Sequence, residues 1–294
     1  MTLRLLVTGR EGQVAQALLA LQNDDLQIEA LGRPTLDLTD RSSIERAISA
    51  FRPDVIVNAA AYTAVDKAET DEETAFAVNA QGAGNVAAAA SAAGLPVIHI
   101  STDYVFPGDK STPYVETDET GPKGAYGRSK LAGELAVSAA NPRHVILRTA
   151  WVYGPYGNNF LKTMLRVAAT RDTLRVVADQ HGTPTYAPDI AEGIVVVARR
   201  LAADSGAPTG VFHMVSSGET TWAGFAEEIF RQSVQAGGAG AVVEPIPSAD
   251  YPTPAQRPAN SRLETKRFSD TFGYRLPAWE TGVSRCLEAL AEAE

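Results

Sequence analysis

Apolar runs of strand length recur through the first half of the chain, at residues 3–7, 28–31, 55–57, 97–100 and 145–147. Between them the apolar positions shift to helical spacing. The clearest case, Arg41–Phe51, follows the good capping residues Thr39 and Asp40 and carries Ile44, Ala47, Ile48 and Phe51 on one face. Pro53 then closes it. Short, continuously apolar strands alternating with helices predict a parallel sheet covered on both faces. Right-handed crossovers make this α/β arrangement a doubly wound, Rossmann-like fold. The alanine-rich stretch at 82–94 predicts a tightly packed buried helix.

Beyond about residue 150 the pattern loosens. Helices are expected at 160–170, 188–201 and 221–234, with strands at 174–177 and 211–215 and a Gly/Ala linker at 236–241. Pro245, Pro247, Pro252, Pro254 and Pro258 then crowd a segment that proline excludes from helix and from central strand. That segment also holds Tyr251, Arg257, Asn260 and Arg262, which suits a loop that grips a ligand. The economical arrangement has two parts. A sheet domain comes from residues 1–150, with about 180–205 returning to it, and a smaller α/β substrate-binding domain comes mostly from 151–294, interleaved with the first.

Composition narrows the setting. At 294 residues the chain is long enough for about two domains, and its 45% hydrophobic and 21% charged content matches an ordinary globular protein. Twenty-six basic against 35 acidic residues give a net charge of −9, which disfavours a nucleic-acid surface while permitting a local basic pocket. Cys286 is the single cysteine and has no internal disulfide partner, as suits a reducing cytoplasm. The N-terminus carries no secretory pattern, and no apolar stretch reaches membrane-spanning length. The expected setting is therefore cytoplasmic, without membrane or nucleic-acid partners.

The first strand runs into Gly9-Arg10-Glu11-Gly12-Gln13-Val14-Ala15, a Gly-x-x-Gly-x-x-Ala turn that opens a helix. Backbone free of Cβ at Gly9 and Gly12 lets a pyrophosphate approach the N–H groups of the helix start. At the end of the second strand stand Gly32 and Arg33, where a carboxylate would favour NAD; the arginine tilts the choice towards NADP. Asp37 and Leu38 could border an adenine. The small residues around Ala61, Tyr62 and Thr63 would let a nicotinamide ribose lie close to the backbone.

Tyr126 and Lys130 are four apart, hence on one helix face. An ammonium beside a phenol stabilises the phenolate and brings a sluggish acid–base into working range. Thr102 ends the fourth strand at the carboxyl edge of the sheet, where α/β folds bind ligands, and could hold a substrate oxygen near the Tyr126 hydroxyl. His99, flanked by Ile98 and Ile100, reads as a hydrogen-bonded core residue. His144, His181 and His213 are scattered, and no zinc spacing or Gly-x-Ser-x-Gly elbow is present.

These residues resemble the extended short-chain dehydrogenase/reductases, and within them the branch acting on dTDP-4-dehydro-L-rhamnose. The resemblance spans nearly the whole chain. It is carried by the Gly-rich turn, the segments at 52–69, 101–106 and 148–153, and the Arg-Pro-Ala-Asn-Ser-Arg-Leu segment at 257–263. It implies Thr102, Tyr126 and Lys130 as catalytic trio and Gly12, Gln13 and Val14 at the pyrophosphate. It implies Asp37 and Leu38 on the adenine side, and Ala61, Tyr62 and Thr63 on the nicotinamide side. Thr102, Asp103 and Trp151 would touch the deoxysugar, Arg257 and Arg262 could neutralise the diphosphate with Asn260 beside them, and Asn79 would stand near the active site. The implied activity is NAD(P)H-dependent reduction of the C4 keto group, giving dTDP-L-rhamnose for cell-surface polysaccharide, with NADPH favoured and NADH open. Another sugar-nucleotide reductase or epimerase, or a non-catalytic NADP-binding regulatory subunit, stays open as an alternative. Some members bind magnesium through glutamates at a subunit contact. Ala17 and Pro188 stand at the matching places here, which leaves magnesium and a homodimer open.

Overall fold

The computed structural model describes residues 2–292. Its elements run β1 (Leu3–Thr8), α1 (Gln13–Ala20), β2 (Leu26–Leu31), α2 (Arg41–Phe51), β3 (Val55–Asn58), α3 (Val65–Ala68) and α4 (Glu72–Phe76). A π-helical segment (Ala77–Gly82) passes into α5 (Ala83–Ala92). Next come β4 (Val97–Thr102), a 3₁₀ turn (Asp103–Val105), α6 (Ala125–Ala140), β5 (His144–Thr149) and β6 (Val152–Tyr153). The second half contains α7 (Phe160–Ala168), β7 (Thr173–Val177), β8 (His181–Gly182), β9 (Thr185–Tyr186), α8 (Ala187–Ala203) and β10 (Gly210–His213). It closes with β11 (Thr220–Thr221), α9 (Trp222–Gln235), β12 (Val242–Ile246), α10 (Lys266–Phe272) and α11 (Trp279–Ala291).

The main sheet has six strands in the order β10-β5-β4-β3-β1-β2, and every pairing is parallel. Its central strands are apolar on both faces because both are covered. Leu5, Val7, Val55 and Val57 pack with α1 and α8 through Leu18, Ile190, Ile194 and Val197. Leu6, Ile56 and Ile146 face Ile44, Val86 and Val137 on the opposite side. Asp40 caps α2, accepting a bond from the Ser42 amide as the sequence predicts. Burial of these side chains, at about 25 cal/mol per Å² of apolar surface, dominates the stability of this layer.

A third core joins α7, α9 and α11 through Leu161, Phe225, Ile229, Trp279 and Val283, with Cys286 buried in it. The helices α10 and α11 go beyond the expected elements, although Trp279, Val283, Cys286, Leu287 and Leu290 stand at helical spacing in α11. One further difference concerns the proline-dense segment. Its start, Val242–Ile246, is a strand paired with β7, with Pro245 opposite Val176. Proline is tolerated because this is a two-stranded ribbon, with a free edge where a missing N–H removes no ladder bond. Among the described residues, no helix is long and apolar enough to cross a membrane.

Candidate active site

The carboxyl ends of β1, β2 and β3 open onto a cavity of about 780 Å³. Gly9, at φ +90°, lies so close to β3 that a Cβ would stand 2.8 Å from the Cα of Ala60. Only glycine combines that dihedral with that approach. The amide of Gly12 donates to the Gly9 carbonyl, and α1 begins at Gln13, leaving the first-turn N–H groups of the helix without intrahelical acceptors. The cavity extends past Gly32, Arg33, Asp37 and Leu38, and ends against Ala61 and Thr63. Its chemistry fits a dinucleotide: an anion-binding helix start in the middle and an exposed arginine at the outer rim.

Three predicted cofactor contacts take other positions. The Gln13 side chain turns away from the cavity, reaching the Val152 carbonyl at 3.4 Å and accepting from Asn159 at 2.9 Å. Val14 packs against the main core. Tyr62 donates its hydroxyl to Asp71 at 3.1 Å, and its ring packs with Tyr126 against Ala68, Ala75 and Ala125. These residues face the cavity through backbone at most. Sequence reasoning passed over Arg10, which also lines the cavity and sits 3.8 Å, at its Cβ, from where a Gly32 Cβ would be. Its signal was present, a second arginine inside the Gly-rich turn.

Thr102, at the end of β4, and Tyr126 and Lys130, on the first turns of α6, converge as the spacing predicts. The approach of α6 is close: a Cβ at Gly127 would stand 2.3 Å from the Tyr104 carbonyl oxygen. The Thr102 hydroxyl donates to Asp103 at 3.0 Å and accepts from the Tyr104 amide at 3.2 Å. Burial and the Asp103 carboxylate together push the neighbouring Tyr126 phenol well above its ordinary value. This corrects one expectation. The Lys130 ammonium does not tune Tyr126 here, because its Nζ donates to the Ile100 carbonyl at 2.7 Å and lies 3.5 Å from Nε2 of His99. Burial brings Lys130 itself down to about 8. The Tyr126 phenol is therefore protonated at neutral pH, the form that can give a proton away.

His99 is a core histidine, bonded through Nδ1 to the Asn58 amide at 3.0 Å. Asn79, in the π segment, accepts from the Tyr62 amide at 2.8 Å and donates to Ser129 at 3.0 Å, tying β3's exit loop to α6. Asp103 is 4% exposed and its Oδ2 has no partner. Burial raises its carboxyl to about 6, opposed by hydrogen bonds from Ser261 and Thr102.

Of the predicted sugar-nucleotide contacts, Trp151 adopts φ +48°, a conformation rare for a bulky side chain, and stacks on Trp222 with ring centroids 3.7 Å apart. A Cβ at Gly182 would stand 2.5 Å from the same indole, so packing holds the strain. Arg257 pairs with Asp66 at 2.6 Å, and its guanidinium lies 3.5 Å from the Tyr104 hydroxyl. Tyr104 in turn meets Tyr126 edge-on at 5.5 Å, so the Arg257 loop borders the catalytic groups. It lines a second cavity of about 330 Å³ together with Lys123. Asn260 and Arg262 are engaged elsewhere. The Asn260 amide donates to the carbonyls of Lys110 and Thr112 and accepts from Arg262, while Arg262 pairs with Glu219 at 3.1 Å. They fasten the loop that presents Arg257 and offer no free polar group to a diphosphate.

Ala17 is buried in the main core, so it is not a position a metal could reach. Among the described residues, no cluster of three or more His, Cys, Asp or Glu side chains could hold a metal ion.

A family model described as the RmlD substrate binding domain matches residues 3–292. The chain is 53% identical over 289 residues to the dTDP-4-dehydrorhamnose reductase of Sinorhizobium fredii, covering 98% of each protein. It superposes on the crystal structure of a dTDP-4-dehydrorhamnose reductase from Clostridium acetobutylicum with a TM-score of 0.90 at 36% identity, covering 98% of this chain and 100% of that one. The dTDP-4-dehydrorhamnose reductase of Bacillus anthracis, solved in complex with NADP, gives the same TM-score, identity and coverage.

Proposed function

The chain belongs to the RmlD substrate binding domain family, and from that membership we propose that it reduces the C4 keto group of dTDP-4-dehydro-L-rhamnose to give dTDP-L-rhamnose, with NADPH as reductant. The observation that carries this reading is that Thr102, Tyr126 and Lys130 gather at the carboxyl end of β4, on the same edge of the sheet as the cavity at the ends of β1, β2 and β3.

NADPH, when bound, supplies the hydride. The chain's residues do the rest. Thr102 holds the substrate carbonyl oxygen beside the Tyr126 phenol, and Tyr126 gives its proton to the alkoxide that develops there. Burial keeps that proton on Tyr126 until it is needed, and general acid catalysis of this kind contributes about 10²–10⁴-fold. Lys130, one turn along α6, is the residue placed to hold the cofactor ribose. Asp103 and Trp151 border the sugar, and Arg257 with Lys123 offers positive charge to the diphosphate. Arg33 and Arg10 favour the 2′-phosphate of NADPH over the free hydroxyl of NADH.

The same reading divides the labour within the chain. The six-stranded sheet with α1 and α8 binds the cofactor, and the layer of α7, α9 and α11 with the proline-dense loop binds the sugar nucleotide. The test is an absorbance assay of NADPH and NADH oxidation with dTDP-4-dehydro-L-rhamnose. NADPH consumption equal to dTDP-L-rhamnose formed supports the assignment, and isomerisation of the sugar without NADPH loss refutes it in favour of an epimerase.

A further inference from the structure

Lys130 is 2% exposed and carries its charge without a carboxylate in contact. One helical turn along α6 stands Glu134, itself 4% exposed. Its two oxygens accept from Arg148 on β5, at 2.9 Å from Nε and 2.7 Å from Nη2, a bidentate pair. The Oε1 atom also accepts from the Ser101 hydroxyl at 2.5 Å. Ser101 directly precedes Thr102. One buried carboxylate thus fastens the helix bearing Tyr126 and Lys130, the strand end bearing Thr102, and the strand leading to Trp151. The Arg148 guanidinium is held in turn over the Phe106 ring at 4.8 Å.

A buried ion pair is weak evidence for stability, since well-packed apolar residues often do as well or better. Its place here gives it another use. We propose that Glu134, clamped by Arg148 and Ser101, is a positioning residue for Lys130: it sets the seating of α6 over the end of β4 and supplies the negative potential that keeps the Lys130 ammonium charged. The groups facing that ammonium are few. His99 approaches from β4 and is kept neutral by burial, which leaves Glu134 as the stabilising charge. Arg148 acts from β5 through Glu134, Tyr126 lies one turn back on α6, Asp103 faces Tyr126 from the 3₁₀ turn, and the π segment brings only the uncharged Asn79.

The inference rests on the reductase reading for its consequence in turnover, and its test separates the two. The chain has six lysines, so the Lys130 signal of protein labelled with ¹³C at lysine Cε can be assigned from its loss in Lys130→Met and titrated without any substrate. Glu134→Gln is expected to lower the Lys130 midpoint by about half a pH unit or more, with the alkaline limb of kcat for dTDP-4-dehydro-L-rhamnose reduction moving by the same amount. The double variant Glu134→Leu/Arg148→Met, which replaces both charges with apolar side chains, is expected to fold and to show a smaller shift in the same direction, because the Arg148 cation leaves with the carboxylate. It carries the test should Glu134→Gln not fold. A Lys130 midpoint equal to wild type in the folded variants overturns the proposal, whatever their melting temperatures. A shifted midpoint in the variants together with a wild-type protein inactive on the sugar nucleotide refutes the substrate reading and leaves the role of Glu134 standing.

Discussion

A Cβ placed on Gly133 would stand 2.1 Å from the backbone carbonyl oxygen of Asn79. The obstacle is backbone, so no rotamer change relieves it. Glycine inside α6 is therefore what lets the helix carrying Tyr126 and Lys130 lie directly on the π segment. Replacing glycine by alanine in an exposed helix interior gains about 1 kcal/mol. Here the sign reverses: Gly133→Ala is expected to cost about 1–3 kcal/mol by overpacking. It should also lower kcat, because α6 and Asn79 must part. Thermal denaturation with steady-state kinetics checks both, and a Gly133→Ala protein at least as stable as wild type would rule the contact out.

Tyr126→Phe removes the acid and little else, because the ring is already packed among alanines and Tyr62. The fall in kcat should be about 10²–10⁴-fold, with the dissociation constant for NADPH within a few-fold of wild type. Fluorescence titration of NADPH alongside turnover measures the two separately. Near wild-type turnover in the variant would remove Tyr126 from the mechanism.

The arginines at the cavity rim make a prediction about cofactor choice. Arg33 and Arg10 both line the cavity from exposed positions. A charge-assisted bond to a phosphate is worth about 1.5–3 kcal/mol before solvent screening, so Arg33→Ala should raise KM for NADPH by about 10-fold. KM for NADH, which has no 2′-phosphate, should stay nearly constant. Equal losses with both cofactors would mean that Arg33 does not read the 2′-phosphate.

The contrast between these residues explains what could be read from the chain directly. Strands such as Val55–Asn58 announce themselves because burial on both faces demands unbroken apolar side chains, and Tyr126 with Lys130 stands out because four residues is one helical turn. Thr102 was legible from its place at the carboxyl edge of the sheet, and family resemblance then joined it to Tyr126 and Lys130. The pair Glu134–Arg148 was invisible for a different reason. Each is an ordinary charged residue by local pattern, and only the docking of α6 on β5 buries both. Asn260 misled in the opposite way, since a polar residue in a motif looks like a ligand contact until its partners, the carbonyls of Lys110 and Thr112, are seen. The phenol of Tyr126 rises because it is buried and, to a lesser degree, because the turn after β4 brings Asp103 beside it.

Asp103 supplies a prediction about pH. Its carboxyl rises from the ordinary 3.8 to about 6, chiefly through burial, against the pull of Ser261 and Thr102. Between those two values the folded chain keeps a proton that the unfolded chain has already lost. The contribution of Asp103 to stability therefore falls as pH rises from about 4 to about 6, and the deficit persists above that range. It is on the order of 2–3 kcal/mol, because a tenfold change in proton affinity corresponds to about 1.4 kcal/mol. A cost of that size at a residue whose Oδ2 has no partner is typical of a functional position, where stability is traded for chemistry. Asp103→Asn should accordingly raise the melting temperature at pH 8 by several degrees, with a much smaller gain at pH 4, where the wild-type carboxyl is protonated in the fold. The same variant should raise KM for the sugar nucleotide. Melting curves of both proteins across this pH range test the linkage, and a gap between them that stays constant from pH 4 to pH 8 would show that Asp103 is charged in the fold throughout.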